Sequence, residues 1–241
     1  MKKILILIVI ITIAASVVYL RPSAYKRMVA PYPNSAFIKE VDIAWPTHNQ
    51  RAPGSDNWPV TWANDNHQYS SWGDGGGFKG TNAKGRVSLG FARIEGDSIS
   101  EGTEDPFKGV NIFGGYQPQV PSPIDGKSYG ILSVDDSLYA WISPGSGPDG
   151  YQEARLYQSS DYARSWESLP WSFTKEDKFI FPAFLQFDKG YSNSRDHYIY
   201  IYASILQNDI DLSVQKPGYI VLLRVPINRI TDRDYYEVYS G

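Results

Sequence analysis

The chain has 241 residues, a formal net charge of −3 and no cysteine, so it carries no disulfide, no thiolate metal site and no thiol nucleophile. Nothing in that charge balance points to nucleic acid, which calls for a basic face. With 15% aromatic residues, 18 of them Tyr, and with 21 Gly and 16 Pro, the composition favours strands, tight turns and loops over long helices.

The N-terminus differs from the rest. Lys2 and Lys3 precede 17 uncharged residues, Ile4 to Leu20, and Arg21 closes the run. A basic start and a short apolar stretch mark an export signal. No A-x-A cleavage site follows, and residues 17–20 lengthen the run toward a spanning segment. Residues 1–20 therefore read as an apolar helix, either a signal peptide or a signal anchor that holds the membrane through residues 4–20 if it is not cleaved. Both readings place the remainder outside the cytoplasm, secreted or anchored. Residues 21–54, rich in Pro, Ser and Asn, read as a linker with a first strand over 37–45.

From residue 55 to 241 the chain repeats itself. "VTWANDNHQYSSWGDG" has a strand, a polar turn at residues 64–66 and an aromatic return strand. "GILSVDDSLYAWISPG" and "FLQFDKGYSNSRDHYIYIYAS" have the same layout, and their return-strand tyrosines are Tyr69, Tyr139 and Tyr200 or Tyr202. After each hairpin comes an apolar strand bearing an arginine, Arg93, Arg155 and Arg224. Four antiparallel strands in a repeat of this size make a propeller blade. Three repeats are fewer than the four blades that close the smallest rings. The expectation is an all-β chain and a C-terminally incomplete β-propeller, or one completed by another chain; a self-contained β-sandwich is the alternative. Only residues 227–239 hold a turn or two of helix.

"SSDYARSWE", residues 159–167, resembles the Asp box of sialidase-type propellers, S-x-D-x-G-x-T-W. Ser159, Asp161 and Trp166 match it, while Ala163 replaces the Gly and Ser165 the Thr. The resemblance implies a rim turn between the last two strands of a blade, a structural feature. Over residues 55–241, through "NWPVTWANDNHQYSSWGDGGGF", "GRVSLGFARIEGD", "KSYGILSVDDSLYAWISPGSG" and "KPGYIVLLRVPINRITDRDYYEVYSG", the chain resembles a bacterial family of five-bladed β-propellers. Most members of that family have no assigned activity, and some are endo-D-arabinanases. The likeness implies a five-bladed architecture of which about three blades are present here. It implies a glycoside hydrolase-like protein acting on a furanose-containing polysaccharide.

Candidate catalytic residues come from the first hairpin. If its turn centres on Asp65, paired residues lie equally far from that turn. Asp56 and Asp74 satisfy this and fall at the open end, the mouth of a propeller channel. Carboxyl groups on directly opposed strand residues sit about 5–6 Å apart, close to the spacing of a retaining glycosidase. One such acid should stay protonated as acid/base while the other attacks as nucleophile. Asp74 is read as the acid/base and Asp56 as the nucleophile, with the roles open to exchange. Both residues also fit a bland reading, Asp56 capping a turn and Asp74 satisfying amides of "GDGGG". Asp65 itself is turn chemistry.

Trp58, beside Asp56, is the substrate-stacking candidate, whereas Trp62 and Trp72 read as core. Lys127, just before the first strand of the second repeat, should face the same mouth and hold a sugar hydroxyl. Gln186, Arg195 and Asp196 rank lower, the last two as a surface pair. Asp125, Glu104 and Asp105 are loop carboxylates without a pattern. His67 and His197 occupy similar places in their repeats, and with His48 no pair has metal-ligand spacing. No cofactor is implied, and the partner expected is a polysaccharide or other glycan. The rival readings are a glycan-binding propeller without catalysis, and an inert fragment of a longer enzyme.

Overall fold

The structure is a computed structural model that describes residues 33–48, 50–96, 107–117, 120–145, 152–207 and 219–239. The apolar segment expected over residues 1–20 lies outside the described residues. Among the described residues no helix is long and apolar enough to cross a membrane. The chain divides into two compact units, residues 1–48 and 49–241.

In the first unit, residues 33–48 form no strand, contrary to expectation for 37–45. Phe37, Ile38, Val41 and Ile43 are exposed, and among the described residues no neighbouring strand takes up their backbone groups. The one regular element among the described residues of this unit is a 3₁₀ turn, Trp45–Thr47, whose first turn holds Pro46, where the missing N–H would have no partner in the turn.

The described residues of the second unit are all-β. They form three four-stranded antiparallel sheets, each a meander in sequence order. The first comprises β1 (Val60–Trp62), β2 (Gln68–Gly75), β3 (Val87–Ile94) and β4 (Gly109–Phe113). The second comprises β5 (Gly126–Val134), β6 (Ser137–Pro144), β7 (Glu153–Ser159) and β8 (Glu167–Thr174). The third comprises β9 (Phe179–Phe184), β10 (Tyr198–Ile205), β11 (Ile220–Pro226) and β12 (Glu237–Val238). The three sequence repeats are these three sheets. Short 3₁₀ turns at Ile227–Arg229 and Arg233–Tyr235 fall in the segment read as briefly helical.

The repeat has a chemical cause. In the first sheet the Asp65 carboxylate accepts the backbone N–H of His67 at 3.1 Å and the hydroxyl of Tyr69 at 2.6 Å. In the third, Asp196 accepts from Tyr198 N at 3.0 Å and from the Tyr200 hydroxyl at 2.7 Å. An aspartate thus fixes the hairpin turn and, four residues on, anchors a tyrosine of the return strand. Asp135 and Tyr139 keep the spacing, but the Tyr139 hydroxyl accepts from Gln158 instead. Tyr69 and Tyr200 face Arg93 and Arg224 across the ladder. Tyr139 faces Gln158, so Arg155, which pairs with Ile142 and binds Glu153, is not the third member of the arginine series. The same alignment sets His67 opposite Tyr198, so the two histidines are not equivalent positions.

Alternation buries both faces of the second sheet. Leu138, Ala140 and Ile142 pack toward the first sheet with Tyr69, Leu89 and Phe91. Tyr139 and Trp141 pack toward the third with Ile199, Ile201, Leu223 and Val225. The sheets meet along their first strands, where β5 lies against both β1 and β9. Polar bonds cross this seam: the Thr61 hydroxyl donates to Gln186 Oε1 at 2.9 Å and accepts from Ser133 N at 2.8 Å, and Gln186 donates to Ile131 O at 2.8 Å.

The turn between β7 and β8 is tied by Asp161. Its carboxylate accepts from the Ser159 hydroxyl (2.9 Å), from Ser165 N (2.8 Å) and from the Ser165 hydroxyl (2.7 Å). Tyr162 and Ala163 take left-handed φ values of +58° and +66° to close it. Burial alone would raise this carboxyl, but the hydrogen bonds from Ser165 and Ser159 win and hold it below its ordinary value of 3.8. A carboxyl lowered by folding contributes stability above that ordinary value, and the contribution is lost as pH falls through the folded value. Asp161→Asn is therefore expected to lower the urea midpoint at pH 7, with the gap to the parent chain narrowing as the pH drops below 3.8; an equal gap at both pH values would contradict this origin.

Candidate functional site

Near its turn the first hairpin pairs symmetrically about Asp65: Val60 with Ser70, Thr61 with Tyr69, Trp62 with Gln68. Toward the open end it slips by one. Asp56 pairs with Gly73 and not with Asp74, exchanging bonds of 2.9 Å (Asp56 N to Gly73 O) and 2.8 Å (Gly73 N to Asp56 O). Asn57, Trp58 and Pro59 together oppose Ser71 and Trp72, so the first strand carries an extra residue. Asn57 absorbs it with a left-handed φ of +50°, and Pro59 has no N–H to offer a ladder. The two acids are therefore diagonal neighbours, not the directly opposed pair that the symmetry implied.

Asp74 also has a left-handed φ, +50°, inside a strand. Such backbone costs about 1 kcal/mol or more and persists only where surrounding contacts hold it. The contacts are ionic. Lys127 Nζ forms a close ion pair with the Asp74 carboxylate and donates to Ser88 O at 3.1 Å. Arg86 lies 3.3 Å from the same carboxylate and donates to Asp74 O at 2.5 Å. The Lys127 side chain is only 15% exposed, against 41% for Asp74. The Ser88 hydroxyl donates to Asp125 at 2.5 Å.

Gly73 leaves the space in which these groups meet. A Cβ there would stand 3.0 Å from Asp56 Oδ1 and 3.6 Å from Lys127 Nζ. Those two distances and the Lys127–Asp74 ion pair bound the gap between the Asp56 and Asp74 carboxylate oxygens at no more than about 9 Å, below the ~9.5 Å upper limit for carboxylates that act on one sugar. Asp56 is exposed, and its carboxylate has no hydrogen-bond or ionic partner among the described residues.

The structure thus brings Asp56, Asp74 and Lys127 together and adds two residues that the sequence reading left aside. Arg86 immediately precedes β3, and its guanidinium reaches back across the β2–β3 hairpin to Asp74. Asp125, passed over as a loop carboxylate, joins through Ser88. Trp58 does not fit its assigned role. It stacks on Trp72 at 5.2 Å with 16° between planes and contacts Phe78 at 5.2 Å, inside the cluster that covers one face of the first sheet. A bulge that turns Asp56 outward turns Trp58 inward. Trp72 is core as expected, but Trp62, also read as core, is 42% exposed with Lys189 over its ring. Gln186 is a seam residue and Asp196 a turn acid. Glu104 and Asp105 lie outside the described residues. Among the described residues no three His, Cys, Asp or Glu side chains converge as a metal cage requires.

No family model matches this chain, and no curated protein matches it.

Proposed function

We propose that this protein is an exported, glycoside hydrolase-like β-propeller that acts on a furanose-containing polysaccharide through Asp56 and Asp74. Three meander sheets packed face to face, with their first strands adjoining, are what consecutive propeller blades look like. The Asp161 turn between the third and fourth strands of the second sheet agrees with an Asp box. The observation that carries the catalytic reading is that the Asp74–Lys127 ion pair and the unengaged Asp56 carboxylate stand at the same open end of one hairpin.

In this reading Asp56, exposed and unengaged, is the acid/base: as the carboxylic acid it passes a proton to the glycosidic oxygen while the C–O bond breaks, and it takes a proton back from the water that ends up on the anomeric carbon. Asp74, clamped in one orientation by Lys127 and Arg86, attacks the anomeric carbon or directs the water that does. That is the reverse of the first assignment of roles. The full chain should release reducing ends from a furanose polymer such as arabinan; binding without release across arabinan and other plant and mycobacterial polysaccharides would remove the hydrolase.

One observation favours a second reading, a glycan-binding propeller without catalysis. Asp74 already has two cations on it, and a carboxylate so engaged serves equally to shape a binding surface. The export expectation, from Lys2, Lys3 and the apolar run, suits both readings.

A further inference from the structure

At the closed end of the same hairpin, away from Asp56 and Asp74, lies a cleft of about 480 Å³. One wall is the first sheet, with His67, Tyr69 and Arg93 and with Val110 and Ile112 of β4; the other is the Asp161 turn of the second sheet, with Tyr162 and Arg164. Its size falls within the ~300–1,000 Å³ of small-ligand sites.

The polar groups in the cleft are mostly donors. Asp65 is its one acid, and that carboxylate is already accepting from His67 N and the Tyr69 hydroxyl. Burial first, and then the bond to Asp65, push the Tyr69 hydroxyl well above its ordinary value, so it stays a donor to that carboxylate. His67 Nδ1 accepts the backbone N–H of Gly96 at 2.9 Å, which leaves Nε2–H as the donor of the neutral ring. Arg93 is paired with Glu95 at 3.0 Å. Arg164 has no ionic partner among the described residues, and it is carried on a turn that Asp161 already holds rigid. The aromatic wall is preformed too: Tyr162 stacks on Tyr69 at 5.7 Å with 21° between planes, and its hydroxyl is spent on Asp136 at 3.1 Å.

We propose that this cleft is a second binding site, for the carboxylate of an acidic sugar. Arg164 receives the carboxylate through its planar fork, His67 Nε2–H gives a hydrogen bond, and the Tyr162 ring with Val110 and Ile112 meets the apolar face of the sugar ring. A neutral sugar leaves the arginine uncompensated, and a bare inorganic anion leaves the aromatic and aliphatic walls unused. The site shares no residue with the Asp56–Asp74 cluster, so it stands whether or not that cluster hydrolyses anything.

Titration calorimetry on the full chain tests it, with D-glucuronate, D-glucose and inorganic sulfate as probes. Glucuronate should bind saturably, and glucose and sulfate at least about tenfold more weakly. Arg164→Gln should weaken glucuronate binding by at least about tenfold, and Arg164→Lys by less, because it keeps the charge and loses the fork. Unfolding midpoints should stay at the parent value, since this side chain is exposed. Equal affinity for glucose, sulfate binding as tightly as glucuronate, or an unchanged Arg164→Gln would each overturn the proposal. Asp56→Asn should leave glucuronate binding intact, and a loss there would place the sugar in the other site.

Discussion

Asp56→Asn and Asp74→Asn should each reduce turnover of a susceptible furanose polymer by about 10²–10⁴-fold, while affinity for that polymer should change by a few-fold at most. The carboxamide keeps the size of the side chain and removes only its ability to give a proton or attack, so the loss belongs in the chemical step. Collapse of the fold would not explain it. Asp56 has no side-chain partner to lose, and Asn tolerates the left-handed φ of position 74 as Asp does; because Asp74→Asn leaves Lys127 without its carboxylate, its unfolding midpoint is measured beside its turnover. The two variants separate the roles. With azide added, the variant that lacks the attacking group, Asp74→Asn in the proposed reading, should release a glycosyl azide of inverted anomeric configuration, and the variant that lacks the acid/base one of retained configuration. Full turnover in both variants would leave the carboxylates without a catalytic part, and unchanged affinity with no turnover even in the parent chain would make the protein a glycan binder.

The repeat was legible because its signal is local. A strand, a polar turn and an aromatic return recur at nearly constant spacing, and each sheet is a meander whose strands follow one another in sequence. The Asp-x-x-x-Tyr rung that enforces this was present at residues 65–69, 135–139 and 196–200, and reading the tyrosines alone hid the acid that anchors two of them. Without the acid the arginine series was misaligned at Arg155. The pairing at the candidate site was legible only to within one residue. Symmetry about Asp65 holds for three pairs and fails where Asn57 turns left-handed before Pro59, because a bulge is set by backbone strain and packing and not by hydrophobic pattern. That one residue carries Trp58 under the sheet to Trp72 and leaves Trp62 outside. Arg86 is a matter beyond local pattern: it stands twelve positions after Asp74, and charge at a loop end has no pattern until the pairing of β2 with β3 is known.

The largest loss of stability is expected at Trp141, which is fully buried where the second and third sheets meet. Its indole contacts Phe173 at 5.2 Å, Trp171 at 5.8 Å, Phe184 at 5.9 Å and Tyr236 at 6.0 Å, so β8, β9 and the C-terminal turn all rest on it. Trp141→Ala should cost about 3–5 kcal/mol, the usual price of emptying a large aromatic site, which is comparable to the whole stability of a marginal domain. Trp141→Phe should cost much less. The Trp141 indole N–H is buried without a hydrogen-bond partner, so the smaller ring removes an unsatisfied donor along with some packing. Trp72 supplies the control: it is equally buried, but its indole N–H donates to Gly75 O at 3.1 Å. Trp72→Phe strands that carbonyl beside Asp74, which adds about 1–3 kcal/mol to the packing loss. Urea unfolding with an unchanged m-value should therefore rank Trp72→Phe as more destabilising than Trp141→Phe. The opposite order would mean that ring volume, and not the fate of the N–H, decides both sites.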